Sequence, residues 1–339
     1  MTVTDIYAAG EEYTPEAARD LVGIMRSENN ITTLSEKRED VMDQIRIVGG
    51  LCNSGEFDAS TMHLPVHQRK INGDATDQAV LRLSENLGSV AELRQNWKKH
   101  FEIAFNSKNK FMIRLMTPVT QNASNTHTQV SHLIHTSFTD HLSTLMIKGA
   151  PDILLPRCSF MLNDRGDTIP MTEPQMWRIE AVKDAWSRQG KRVILLARKN
   201  TVVPFSANHE KEVLIAARQG LTFVGIVGIV DPPRDEIPEV VRILRGASIR
   251  IFMVTGDFKL TAQAIAEECG IISNVAMLDD ASALVREAKL GSTRQALILS
   301  GPELITLNED QWDQLCQYEE IVFARSVLSF LKPLAWVYY

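Results

Sequence analysis

Residues 224–272 read VGIVGIVDPPRDEIPEVVRILRGASIRIFMVTGDFKLTAQAIAEECGII. Val224 to Val230 is a short apolar, β-branched run stopped by Asp231-Pro232-Pro233, the pattern of a buried strand. Ile237, Val240, Val241 and Leu244 recur at helical spacing, and Gly246 closes that helix. Ile249 to Val254 is the next strand, and Thr255-Gly256-Asp257 is the turn at its carboxyl end. Thr261 to Cys269 forms a further helix, with Gly270 as its stop. Strand, helix and strand in this order read as a βαβ crossover, which requires a parallel sheet. In open α/β sheets the chemistry lies outside the carboxyl ends of the strands, and this singles out Asp231 and Asp257.

Composition narrows the function classes. The chain has 339 residues, 44% hydrophobic and 23% charged, which is ordinary globular usage and long enough for two domains. A formal net charge of −6 argues against nucleic acid as a partner. Cys52, Cys158, Cys269 and Cys316 are scattered without metal-ligand spacing and read as reduced, buried thiols of a cytoplasmic protein. The longest apolar run, Leu221 to Val230, is half of the roughly twenty residues a helical span needs, so no membrane span is expected. The amino-terminal MTVTDIYAAGEEY has neither a basic start nor an apolar core and does not read as a signal peptide.

Three motifs carry a resemblance. DPPR at 231–234 (Asp231 and Arg234), MVTGD at 253–257 and KGAP at 148–151 together resemble the cytoplasmic part of P-type cation-transporting ATPases, most of all the α subunits of the sodium/potassium-pump type. The resemblance covers nearly all of residues 1–326. It implies an α/β chain in which an α+β nucleotide-binding domain (1–229, with a short phosphorylation-domain remnant at its start) precedes a partial, Rossmann-like phosphorylation domain of the haloacid-dehalogenase type (230–326). A divergent apolar tail (327–339) follows.

Further matches assign residues. Residues 1–10 alternate apolar and polar and read as a strand, whereas 11–45 read as a solvated linker followed by a helix. Ile45 to Asn53 is apolar and buried, and its LCN resembles a helix of the family's nucleotide domain. Ile71 to Leu87 continues as a helix with Ala79, Val80, Leu83 and Leu87 inward. Its GDATD, 73–77, resembles a family pattern in which Asp77 replaces a glutamate near the adenine amino group; capping the helix start accounts equally for Thr76 and Asp77. Phe101 to Leu115 reads as two strands joined at Asn106-Ser107-Lys108-Asn109. The resemblance makes Phe105 the face on which adenine stacks, worth about 1–3 kcal/mol, and Lys110 a cation beside it.

Lys148 is implied at the mouth of the ATP pocket and has no evident structural duty in the sequence. Gly149 is implied to let backbone approach the ligand, and Pro151 suits the first position of the next helix. Glu173 to Gln189 is an amphipathic helix stopped by Gly190, after which Arg192 is implied as a phosphate ligand. Downstream, a helix over Ala281 to Ala288, a strand over Ala296 to Ser300, a helix over Gln311 to Tyr318 and a strand over Ile321 to Phe323 continue the alternation. His127, His132, His135 and His141 cluster, but no Cys or carboxylate pair completes a set, so no metal site is expected.

The family mechanism needs an aspartate nucleophile, a lysine and a magnesium loop. The chain supplies Thr255, Gly256 and Asp257 as family remnants. It contains no DKTG, and after VFAR its sequence departs before any TGDGVND. The expectation is a truncated pump-like protein that binds ATP, with magnesium accompanying the nucleotide, and neither turns it over nor transports ions alone. The alternatives are a repurposed soluble enzyme acting on a small molecule and a regulatory module for an intact membrane pump.

Overall fold

The computed structural model describes residues 1–29, 41–119, 143–201, 209–284 and 295–325. In chain order the first elements are β1 (Thr2–Ala8), β2 (Glu11–Tyr13), α1 (Pro15–Asn29), α2 (Val41–Leu51), β3 (Glu56–Phe57), β4 (Ile71–Asn72), α3 (Ala75–Leu87) and α4 (Val90–Gln95). Then come β5 (Trp97–Ile103), β6 (Phe111–Pro118), β7 (Ser143–Gly149), α5 (Pro151–Leu154), β8 (Cys158–Leu162), β9 (Thr168–Pro170), α6 (Glu173–Arg188), β10 (Arg192–Thr201), α7 (His209–Ala216) and β11 (Leu221–Val230). The last are α8 (Ile237–Gly246), β12 (Phe252–Val254), α9 (Lys259–Glu268), β13 (Leu278–Asp279), β14 (Ala296–Ser300), α10 (Gly301–Leu304), α11 (Glu309–Leu315) and β15 (Glu320–Ala324). The chain divides into two compact units, one of residues 1–183 and 193–230, the other of 184–192 and 231–339.

The first unit is built on a nine-stranded sheet whose main path runs β2-β1-β11-β10-β7-β6-β5. Its long strand β11 is apolar but for Thr222 and buried to Ile229, as a strand covered on both faces must be. The first residues of β11 take β8 in parallel, Leu221 to Phe223 opposite Cys158 to Met161. Its last residues take β1 antiparallel, Ile226 to Val230 opposite Tyr7 to Thr2. Gly225 stands at the changeover, where a Cβ would lie 2.8 Å from the carbonyl oxygen of Tyr7. Helices α2 and α3 cover the sheet, with Ile45, Val48, Leu51, Val80, Leu83 and Leu87 packed in the same core as Ile6, Met112, Met146, Leu196, Val224 and Val227.

The second unit holds a four-stranded parallel sheet in the order β12-β15-β14-β13. Side chains alternate across it: Ile298 and Val322 join Val241, Ala262, Ala266 and Cys269 on one face. Leu297, Leu299, Ile321 and Phe323 join Leu304 and Leu315 on the other.

Three expectations are corrected. The strands flanking α8 do not form one βαβ unit, because β11 belongs to the nine-stranded sheet and β12 to the four-stranded one. The partners that make the second sheet parallel are β14 and β15, which lie downstream in the sequence. Asp231 and Asp257 therefore follow strands of different sheets. Residues 11–29, expected as linker, instead form β2 and α1, with Ala18 and Val22 buried on the helix, and α2 begins at Val41. Of the helix expected over 281–288, only a 3₁₀ turn at Ala281–Leu284 falls within the described residues. His127, His132, His135 and His141 and the tail from 327 lie outside the described residues.

Candidate functional site

Strand β7 ends the sequence STLMIKG, and all of its residues are buried. Lys148 is one of them, with only 4% of its surface exposed. Its Nζ donates a hydrogen bond to Oδ1 of Asp77, which stands in the first turn of α3 and is 8% exposed. The second carboxylate oxygen, Oδ2, accepts the backbone N–H of Ser54 at 2.8 Å. Asn53, fully buried, donates from Nδ2 to the backbone oxygens of Asp77 at 2.9 Å and Gly49 at 3.1 Å. A buried charge survives only when paired and hydrogen-bonded, and both conditions are met here.

The structure thus gives Lys148 the structural partner that the sequence did not reveal. Its ammonium is turned inward onto Asp77. Asp77 is not the helix cap. That role falls to Asp74, whose Oδ1 accepts the Thr76 N–H at 2.8 Å. Asn53 entered the sequence reading only as the end of the LCN match and Ser54 not at all, since no local spacing signals their contact with α3. The thiol of Cys52, next along the chain, donates to the carbonyls of Met112 and Met146, both at 3.5 Å. Burial pushes this thiol up to about 11, against a smaller opposing pull from Lys148. It is a packing group, not a nucleophile.

Gly149 lies opposite Phe111 in the β6–β7 ladder. A Cβ at Gly149 would fall 2.4 Å from the Lys110 carbonyl oxygen and 2.7 Å from Cα of Phe111. The glycine is therefore required by the neighbouring strand, whatever a ligand does. Lys110 adopts a positive φ of 63°. Its N–H donates to the Asn106 carbonyl at 2.8 Å, and its own carbonyl accepts from Ala150 at 3.0 Å. Asn106 Oδ1 also accepts the Asn109 N–H at 2.7 Å. These bonds fix the turn between β5 and β6 while leaving Phe105 61% exposed. An open aromatic face on a braced turn suits a planar base. Lys110, Gly149 and Lys148 are joined through the β6–β7 ladder and its end, and Lys148 is joined to Asp77 by their ion pair; Phe105 stands on the same turn as Lys110.

The remaining candidates lie in the second unit. Thr255 continues β12 and donates its N–H to the Phe323 carbonyl at 2.9 Å. Its Oγ1 donates to Oδ2 of Asp257 at 3.0 Å and accepts the Asp257 N–H at 3.1 Å. Gly256, between them, is exposed. Arg192 reaches Oδ1 of Asp257 with Nε at 2.8 Å and with Nη2 at 2.8 Å. Asp231 and Arg234 are exposed, Arg234 lying 3.9 Å from Glu236.

A further cluster stands beside this turn. Ser300 and Glu303 form a capping box at the start of α10, and Lys259 pairs with Glu303 at 3.2 Å. Burial raises the Glu303 carboxyl, but bonds from Ser300 and the charge of Lys259 outweigh it and hold it below its ordinary value. The Ser-x-x-Glu spacing at 300–303 is the signal that could have found it. Among the described residues no group of three or more His, Cys, Asp or Glu is placed to hold a metal ion. No helix among them is long and apolar enough to cross a membrane.

Comparison with known proteins agrees with this architecture. Residues 41–236 match the family model described as the P-type ATPase cytoplasmic domain N. The chain is 36% identical over 295 residues to the sodium/potassium-transporting ATPase subunit alpha-A of Artemia franciscana, covering 82% of this chain and 27% of that protein. It is 33% identical over 304 residues to the human sodium/potassium-transporting ATPase subunit alpha-4, covering 86% and 27%. With the potassium-transporting ATPase alpha chain 2 of Oryctolagus cuniculus it shares 30% over 338 residues, covering 96% and 28%. It therefore spans a little over a quarter of the length of these relatives. With more than half of its residues inside the family model, the chain belongs to the P-type ATPases.

Proposed function

We propose that the first unit is a nucleotide-binding domain that takes ATP, with magnesium carried on the triphosphate. The observation that supports this most directly is the match of residues 41–236 to the family's cytoplasmic domain N. The exposed ring of Phe105 is the stacking face, and the Lys110 end of its turn lies next to Gly149 through the Ala150–Lys110 hydrogen bond. Lys148 and Asp77 act from within: their buried pair fixes α3 against β7 behind the surface on which the base lies. In this reading residues 1–229 are the nucleotide domain and 230–326 a portion of the phosphorylation domain. Nucleotide binding is assigned to these residues. Ion transport, which the relatives' names state, is not extended to them.

Calorimetric titration of ATP into the chain, with and without magnesium, tests the proposal. Saturable binding should weaken about fivefold or more in Phe105→Ala, as loss of one stacked base predicts. Because Phe105 is exposed, the variant should keep its unfolding temperature. A folded chain that takes up no ATP rules the proposal out.

A further inference from the structure

Selection between purines needs fixed, desolvated polar groups. A buried group that bonds the substituent at the six-position is left unpaired by the wrong base, whereas a solvated side chain exchanges one partner for water at little net cost. An acceptor in that place favours the amino group of adenine, and a donor favours the carbonyl of guanine.

The first unit holds both kinds of group, and each is committed to the other. Oδ1 of Asp77 accepts from Nζ of Lys148, and Oδ2 accepts the Ser54 N–H at 2.8 Å. The two residues are only 8% and 4% exposed. The buried amide of Asn53 is satisfied at both ends: Nδ2 donates to the carbonyls of Gly49 and Asp77, and Oδ1 accepts the Gly55 N–H at 2.8 Å. The carboxylate that alone would select adenine and the ammonium that alone would select guanine thus cancel inside the fold. The surroundings of the aromatic ring are of the opposite kind. Ala104 to Lys108 are exposed in succession, so the polar side chains beside Phe105 stand in water. Among the described residues of this turn, the ring of Phe105 is the group suited to hold a base, and every base offers it a face.

We propose that this site takes purine nucleoside triphosphates as a class, binding guanine as readily as adenine. The proposal rests on the nucleotide reading, and it departs from the resemblance, which sets Asp77 beside the adenine amino group.

Calorimetric titration of ATP and of GTP into the full chain, at equal magnesium, decides it. The two dissociation constants should agree within about threefold, because stacking is tolerant of base identity. Phe105→Ala should weaken both by the same factor. A preference of about tenfold or more for either nucleotide, the mark of one base-edge hydrogen bond, overturns the proposal. Equal affinities that survive Phe105→Ala intact also overturn it, since no base is then held on the ring. ATP uptake that excludes GTP defeats this proposal and spares the nucleotide reading; uptake of neither defeats both.

Discussion

Lys148 and Asp77 lie 71 residues apart in the chain and form one buried pair. Removing the lysine leaves an uncompensated carboxylate among Cys52, Asn53 and the strands, a situation that costs about 3–5 kcal/mol. Lys148→Met should therefore lower stability in urea unfolding by about that amount, and the Asp77→Asn, Lys148→Met double variant should recover part of it. A single-variant loss under about 1 kcal/mol would mean that the pair is not buried in solution. At this scale the sequence revealed the residues and not their partners. Phe105, Lys110, Lys148 and Gly149 stood out by motif, but the ammonium's direction depends on α3 lying against β7. No local pattern encodes that contact. Arg192 was legible as a cation with a task, whereas the carboxylate facing it belongs to a turn 65 residues on.

Elements were read best where local pattern and tertiary demand agree. Strand β14 is found at Ala296–Ser300, as its apolar run indicates, and α6 ends before Gly190, whose φ of 75° only glycine adopts easily. The polar start hid α1, where Ala18 and Val22 are the buried residues among the described side chains and make no evident stripe in the sequence. The βαβ reading failed for a different reason. Strand, helix and strand follow one another locally, but sheet membership is decided by partners far away in sequence. The capping box of α10 gives a prediction of its own. The folded Glu303 carboxyl titrates below its ordinary 4.5, so its contribution to stability is complete above that value. The contribution is lost as pH falls through the lower, folded value. Unfolding of the parent chain and of Glu303→Gln should differ near neutrality and converge in acid; a gap that widens on acidification contradicts the assignment.

On the scale of the whole molecule, the nine-stranded sheet is joined by strands from opposite ends of the first unit. Val3, Ile6, Tyr7 and Ala8 are buried on β1, and the ladder partners of the first three are Ile229, Val227 and Ile226 of β11. A chain lacking residues 1–13 should lose the cooperative unfolding of the first unit, expose the edge of β11 and self-associate, which sedimentation and thermal scans would reveal. Retained cooperativity in the monomer would mean that β1 is dispensable. None of this pairing was legible in the sequence, which marked residues 1–10 as a strand but not for which sheet. The β1–β11 ladder also imposes an order of events on biosynthesis. β1 leaves the ribosome about two hundred residues before β11, an interval of roughly ten to forty seconds at ordinary elongation rates. For most of that time β2, α2 and α3 are already made and can pack on β1, but its other edge waits for β11, so productive maturation should depend on a holding chaperone in a way that refolding of the finished chain does not.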